Sequence, residues 1–317
     1  VVLKAAADDE IRNVCIPVII GSAPWLAGIA RHLRLPCGYE ILLAPDELAR
    51  QPDGPLIYNL NNIDRPLDLG VASALGGRAS AEYIETAARL CLSHHLDALV
   101  SAPISKQALM LADYSYPGHT EFLAHLTGAT DYAIAFIASS LRVVLLTNHV
   151  PLAEAIAQVS KGRIERMARL THRELKRWGI ERPRIAVAAL NPHGSEGGLF
   201  GIEEASELIP AIESLNQDPE MDVRGPFSAH AVFLRALRGE FDAVLSCYHD
   251  QAAIAIKCLS FGEAVNATLG LPFIRTSPDH GTAYDIAGKG VADPSSLIAA
   301  IHLAVHLYER QQAASVS

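Results

Sequence analysis

A chain of 317 residues, half of them hydrophobic, can bury a large core without disulfide or metal staples. Charged residues make up 19% and the formal net charge is -9, which argues against a nucleic-acid polyanion as partner; no apolar run approaches a membrane span. The five cysteines (Cys15, Cys37, Cys91, Cys247, Cys258) form no CxxC pair and sit in apolar surroundings, the pattern of buried thiols in a reducing compartment, so the cytoplasm is the expected location.

The opening VVLKAAADDEIRNV reads as the middle and end of a helix, with no N-cap and no signal-peptide architecture, as if a short strand and turn preceded it. Short apolar runs then predict strands at 16–21, 40–44, 56–60, 96–103, 132–138, 141–147, 183–190 and 241–247. Helical patterns fall between them at 80–95, 119–127, 151–158, 162–177, 203–213 and 228–237. A last helix enters through Pro294 and two serines. Such alternation predicts an α/β protein whose sheets are covered by helices. The adjacent runs 132–138 and 141–147 predict an antiparallel hairpin, hence a mixed sheet. With no repeat and no low-complexity linker, a second domain is expected to form by the chain passing out and back.

Polar groups interrupt the apolar pattern at the C-terminal ends of predicted strands, where open α/β sheets place their ligands. His149 follows one strand in TNHVPL, His193 another in NPHGSEGG, and His249 a third in YHDQ. A lone histidine there is more often structural, but three at equivalent places describe a catalytic divalent-metal site. Asp250 beside His249 and Glu196 near His193 could orient those rings or bind the metal's waters. Imidazole ligands accept zinc, cobalt or nickel, and the neighbouring carboxylates leave manganese and magnesium open.

A second set suits an anion. YPGHTEFLAHL sets His119 and Thr120 at a helix entry, although Thr120 alone reads as an ordinary cap. Lys257 lies in an apolar run, followed by Asn266 and Arg275; buried cations need a counter-charge, from the protein or from a substrate phosphate or carboxylate. SAPISK (101–106) is a weaker example that a helix start explains nearly as well. The third constellation, DHGTAYDIAGKGVADPSSL (279–297), is glycine-rich, as a surface loop or a ligand loop would be. No GxGxxG fingerprint occurs in the chain, so a dinucleotide would not bind by the usual Rossmann route.

Taken together, YPGHTEFLA, TNHVPLAEAI, NPHGSEGGLFGIEE, YHDQ…K and VNATLGLPFIRTSPDHGTAYDIAGKG resemble the 4-hydroxythreonine-4-phosphate dehydrogenase (PdxA) family, in order and through nearly the whole chain. The resemblance implies two α/β/α domains with mixed sheets flanking a cleft, as in isopropylmalate dehydrogenases: residues 1–115 plus 270–317 with the cofactor loop, and 116–269 with the metal, substrate and dimer surfaces. It implies metal ligation by His149, His193 and His249, and substrate contacts from His119, Thr120, Lys257, Asn266 and Arg275. His280, Gly281, Thr282, Ala283 and Asp285 would lie along NAD or NADP. Asp250, Lys257 or a metal-bound water would serve as the base. A homodimer sharing its metal ligands between subunits is also implied.

The implied reaction is oxidation of 4-phosphooxy-L-threonine at C3, then decarboxylation to 3-amino-2-oxopropyl phosphate, on the route to pyridoxal phosphate. The competing readings are a sister dehydrogenase for a four-carbon phospho-sugar acid or a carboxylated cis-dihydrodiol, and, from another class, a metal-dependent phosphohydrolase. Two departures from the family pattern stand out: Ser195 and Ala252, each where glycine is common.

Overall fold

A computed structural model describes residues 1–36, 38–49, 54–260 and 264–316. The strands, in chain order, are β1 (Val18–Gly21), β2 (Glu40–Leu42), β3 (Leu56–Asn59), β4 (Ala98–Val100), β5 (Ala133–Ala138), β6 (Leu141–Leu145), β7 (Arg184–Ala188), β8 (Asp222–Phe227), β9 (Ala243–Ser246), β10 (Val265–Leu269) and β11 (Ile274–Pro278). The chain divides into two compact units, one of residues 1–129 and 271–306, the other of 130–270 and 307–317.

In the first unit β1, β3 and β2 form a parallel sheet in that order, and β4 pairs in parallel with β11. The long helix is Ala74–Leu92, starting six residues before the expected 80 because Ser73 caps it by accepting from the Gly76 amide. Gly76 and Gly77 disguise that start in the sequence. Gly77 has a packing reason: a Cβ there would strike the Ala108 carbonyl. One core cluster holds Phe122, Leu123, Leu109, Ala88 and Cys91, and a second holds Ile19, Ile57, Leu3 and Ala30.

In the second unit the strand order is β10-β5-β6-β9-β7-β8. β5 runs antiparallel to β10 and β6, the latter being the predicted hairpin, which turns on Ser139 in the left-handed region. β6, β9, β7 and β8 are mutually parallel, so their C-terminal ends share one edge. In the runs FDAVLSC and PRIAVAAL, Asp242 and Arg184 near the starts stay partly exposed, while 243–247 and 185–189 are buried at every position, so both faces of the two strands are covered. Their side chains pack with Leu141, Val143, Leu145, Val232 and Ile256, each stabilising the unit by roughly 1.5–3 kcal/mol on burial.

All eight predicted strands form, while β8, β10 and β11 carry no simple apolar signal. β8 contains Gly225 and Pro226. β11 is buried along its whole length although three of its five residues are Arg275, Thr276 and Ser277. The predicted helix 203–213 is a π-helical turn, Glu204–Leu208, running into Ile209–Leu215. Pro210 lacks the N–H that would continue the normal ladder there. Cys91 and Cys247 are the expected buried thiols, pushed up to about 12 by burial, but Cys258 is exposed and Cys15 half-buried. Cys37 lies outside the described residues. No helix among the described residues is long and apolar enough to cross a membrane.

Candidate functional site

The polar break YHDQ sits at the edge where the parallel strands of the second unit end. Gln251 explains part of it: the side chain is buried, its Oε1 accepts from the Cys247 amide at 2.8 Å and the Ser246 hydroxyl at 2.9 Å, and its Nε2 donates to the Ala189 carbonyl at 2.8 Å. That single amide ties the end of β9 to the end of β7. The Thr147 hydroxyl does the same between β6 and β9, donating to the Cys247 carbonyl at 2.9 Å. Loops leaving these strands therefore start from fixed points.

On that base His249 opens the helix His249–Leu259, and its Nδ1 lies 2.8 Å from Asp250 Oδ1. A carboxylate can only accept, so Nδ1 carries the proton of this bond, and in the neutral ring Nε2 keeps a lone pair. This is the arrangement that presents a histidine to a metal. His149, after β6, brings its ring centroid to 5.0 Å from that of His249. Ala252, where glycine is common, is fully buried in this helix and favours it by about 1 kcal/mol over glycine.

His193 stands in a different setting. Residues 193–197 all have left-handed backbone, three of them non-glycine: His193 (φ 54°), Ser195 (φ 62°) and Glu196 (φ 44°). Each costs roughly 1–2 kcal/mol, so the departure at Ser195 falls where glycine would relieve strain. A clamp holds the run in place. The Asn191 amide donates to Glu204 Oε1 at 2.7 Å, and its Nδ2 donates to Glu204 Oε2 at 2.8 Å and Glu203 Oε2 at 2.7 Å. Glu204 is 2% exposed and belongs to the π-helical turn, a feature frequent at functional sites. Glu196 is exposed, and Glu203 and Glu204 are the carboxylates that bond Asn191. The neighbour of His193 is His230, with ring centroids 5.5 Å apart and nearly perpendicular planes.

The three predicted ligands thus fall into a pair, His149 with His249, and one ring that pairs with a histidine the sequence reading passed over. Among the described residues no group of three or more His, Cys, Asp or Glu side chains encloses an ion within one chain. As donors the residues fit a divalent ion: paired, accessible imidazoles, one oriented by a carboxylate.

The anion set divides between the units. In the first, His119 begins the helix His119–Thr127, whose N-cap is Gly118 with no capping side chain. Thr120 is therefore not the cap; it is buried one position further in. Burial, and then the charge of Arg275, push His119 down to about 3, leaving it neutral at pH 7. Arg275 is 6% exposed and donates through Nε (2.9 Å) and Nη2 (2.7 Å) to the Ser101 hydroxyl. Burial lowers its pKa to about 10 against the opposing attraction of Glu121. Within SAPISK, Ser105 is the ordinary helix cap and Ser101 is the one that meets Arg275.

In the second unit, Asn266 on β10 leaves a buried Oδ1 with no hydrogen-bond partner. An orphan acceptor of this kind costs about 1–3 kcal/mol and suits a ligand that donates. Lys257 departs from expectation: it is exposed, because the core-facing residue of its helix turn is Ile256.

The loop 279–294 of the first unit is anchored at its far end. Lys4 Nζ donates to the carbonyls of Gly290 and Ala292, both at 2.8 Å. Gly288 (φ 75°) needs its missing side chain, since a Cβ would meet Leu69. His280, Gly281, Thr282, Ala283 and Asp285 are exposed. Lys4 had no signal in the sequence, being one lysine on a helix 286 residues from its partner.

The fold is that of an α/β protein with parallel and mixed sheets. Residues 13–304 match the family model for pyridoxal phosphate biosynthetic protein PdxA, and the chain belongs to the PdxA family. It is 41% identical over 312 residues to a D-threonate 4-phosphate dehydrogenase of Cupriavidus necator, covering 98% of this chain and 93% of that one. It is 45% identical over 252 residues to a 4-hydroxythreonine-4-phosphate dehydrogenase of a Sulfurihydrogenibium species, covering 79% and 77%. The crystal structure of 4-hydroxythreonine-4-phosphate dehydrogenase from Klebsiella pneumoniae superposes with a TM-score of 0.89 at 37% identity, covering 97% of this chain and 94% of that one.

Proposed function

We propose that this oxidoreductase uses NAD or NADP and a divalent metal to oxidise 4-phosphooxy-L-threonine at C3, with decarboxylation to 3-amino-2-oxopropyl phosphate following. Family membership supports the dehydrogenase chemistry. The observation that carries the phosphorylated substrate is the pairing of a buried, charged Arg275 with a neutral His119 at an uncapped helix start, an arrangement that attracts an anion.

Metal and dinucleotide, when bound, supply Lewis-acid stabilisation of negative charge and a hydride acceptor. The chain's own residues do the rest. His149, His193 and His249 would hold the cation, and Asp250 fixes which nitrogen His249 offers. Arg275, His119 and Thr120 would bind one anionic end. Lys257 stands eight residues beyond His249, about 12 Å along the helix, so its place is at substrate rather than beside the metal. Asn266 Oδ1 would accept from the substrate's amine or hydroxyl. In the reaction the C3–H electron pair leaves as hydride and the hydroxyl proton passes to a base. The bond to the carboxylate then breaks, its electrons stay with the product, and C2 takes up a proton. Asp250, Lys257 and water remain the candidates for the base. Exposed residues 280–285 would lie along the dinucleotide, on a loop that Lys4 anchors.

A homodimer belongs to this reading. Leu199 (73% exposed), Phe200 and Ile202 present apolar side chains directly after the His193 loop, as an interface would.

A second substrate has its own support. D-threonate 4-phosphate carries a hydroxyl where 4-phosphooxy-L-threonine carries an amine, and the Cupriavidus relative named for it matches 98% of this chain. The deciding assay incubates the purified protein with Co2+, NAD or NADP and each compound in turn, following reduced nicotinamide. Faster turnover of 4-phosphooxy-L-threonine supports the first reading and faster turnover of D-threonate 4-phosphate the second. Phosphate release without nicotinamide reduction would replace both with a phosphohydrolase.

A further inference from the structure

Four parallel strands lie side by side in the second unit, in the order β6-β9-β7-β8, and a histidine follows each of them. His149 comes four residues after β6 ends at Leu145, His249 three after Ser246, His193 five after Ala188, and His230 three after Phe227. Parallel neighbours bring their C-terminal ends to one edge, so the strand pair β6/β9 delivers one pair of rings and β7/β8 the other. No role in the family reading falls to His230.

Two details make the second pair more than a surface coincidence. The loops that carry it are fixed: the Ala189 amide donates to the Phe227 carbonyl at 2.8 Å, and Asn191 is clamped by Glu203 and Glu204. The spacing also fits shared ligation. A metal–nitrogen bond of about 2.0–2.1 Å puts each ring centroid about 3.2 Å from the ion, so two rings at a tetrahedral angle stand roughly 5 Å apart. The observed separations are 5.5 Å for His193 with His230 and 5.0 Å for His149 with His249. Edge-to-face packing produces similar distances, and metal binding distinguishes the two; both His193 and His230 are exposed, so a cation can reach them.

We propose that His230 is a further metal-binding residue, forming with His193 a two-imidazole half-site for a divalent cation. The proposal rests on the reading of His193 as a ligand. It gives the site an additional nitrogen donor, which favours cobalt, nickel or zinc over magnesium.

The test uses Co2+ alone as probe, with the full chain and no substrate, reading the dissociation constant and the visible ligand-field band. His230→Ala and His230→Gln are compared with the unsubstituted protein and with His193→Ala, after circular dichroism confirms folding. His230 is exposed, so neither change removes a core contact; should the alanine variant misfold, the glutamine variant decides. Loss of one donor should weaken Co2+ binding at least about tenfold, move the band and reduce the preference for Co2+ over Mg2+. Unchanged affinity and band in a folded His230 variant, with His193→Ala still losing them, overturns the role of His230 and leaves the metal reading standing. Unchanged affinity and band in all three variants overturns both.

Discussion

Arg275 shows how far a single residue departs from what stability alone would select. Burial, partly offset by Glu121, lowers its pKa from 12.5 to about 10, so holding the charge costs the fold on the order of 3 kcal/mol. Arg275→Met keeps the bulk and removes the charge. The expected outcome is a higher melting temperature together with a loss of at least about 100-fold in kcat/KM for phosphorylated substrate, since each factor of ten corresponds to 1.4 kcal/mol. A variant that melts lower and keeps its activity would place the anion elsewhere. His119 makes a pH-dependent contribution. Its folded pKa, pushed to about 3 by burial and Arg275, lies below the ordinary 6.5. The unfolded chain therefore takes up the proton first, and stability that is complete above pH 6.5 falls as pH drops toward 3. His119→Gln should flatten that slope, which urea unfolding at pH 4.5 and 7.5 will measure.

The loop between β7 and the π-helical turn is where local strain and the proposed ligand His193 meet. Asn191→Ala removes the Nδ2 donor from Oε2 of Glu204, which is 2% exposed, while the backbone amide still serves Oε1; a buried acceptor left without its partner costs about 1–3 kcal/mol. The expected result is faster amide hydrogen exchange across residues 192–200 and weaker binding of Co2+, with the helices distant from the loop unaffected. These elements also show what can be read from letters alone. The apolar runs of β5, β6, β7 and β9 were legible because a strand buried on both faces has no polar side to confuse it. β8 was not, since Gly225 and Pro226 imitate a turn, and with it went His230. β11 was hidden because its buried Arg275, Thr276 and Ser277 are satisfied by distant groups, Ser101 and the Ala300 carbonyl among them, which no window of sequence contains. The histidines after β6, β7 and β9 were visible as chemistry; their division into two pairs depends on strand order.

At the scale of the molecule, two pairs of imidazoles in one chain and an exposed apolar stretch beside one of them lead to an assembly prediction. Sedimentation should give about twice the mass of a single chain, and removal of divalent ions by a chelator should loosen the association, because a ligand bound only by the assembled form stabilises it. A monomer at micromolar concentration with tightly bound metal would contradict the shared site. The division of the chain has another consequence. Residues 130–270 supply nearly the whole of one unit, whereas the other joins 1–129 to 271–306 through the pairing of β4 with β11, the Arg275–Ser101 contact and the Lys4 amine on Gly290. During synthesis the central unit has all but its last helical turns as soon as residue 270 leaves the ribosome. The earlier segment must wait, its edge strand unpaired and its Leu109 and Phe122 without Leu271 and Phe273, until the stretch that starts at Leu271 arrives. Truncation or slow translation in that late stretch would therefore expose the earliest part of the chain, not the nearest.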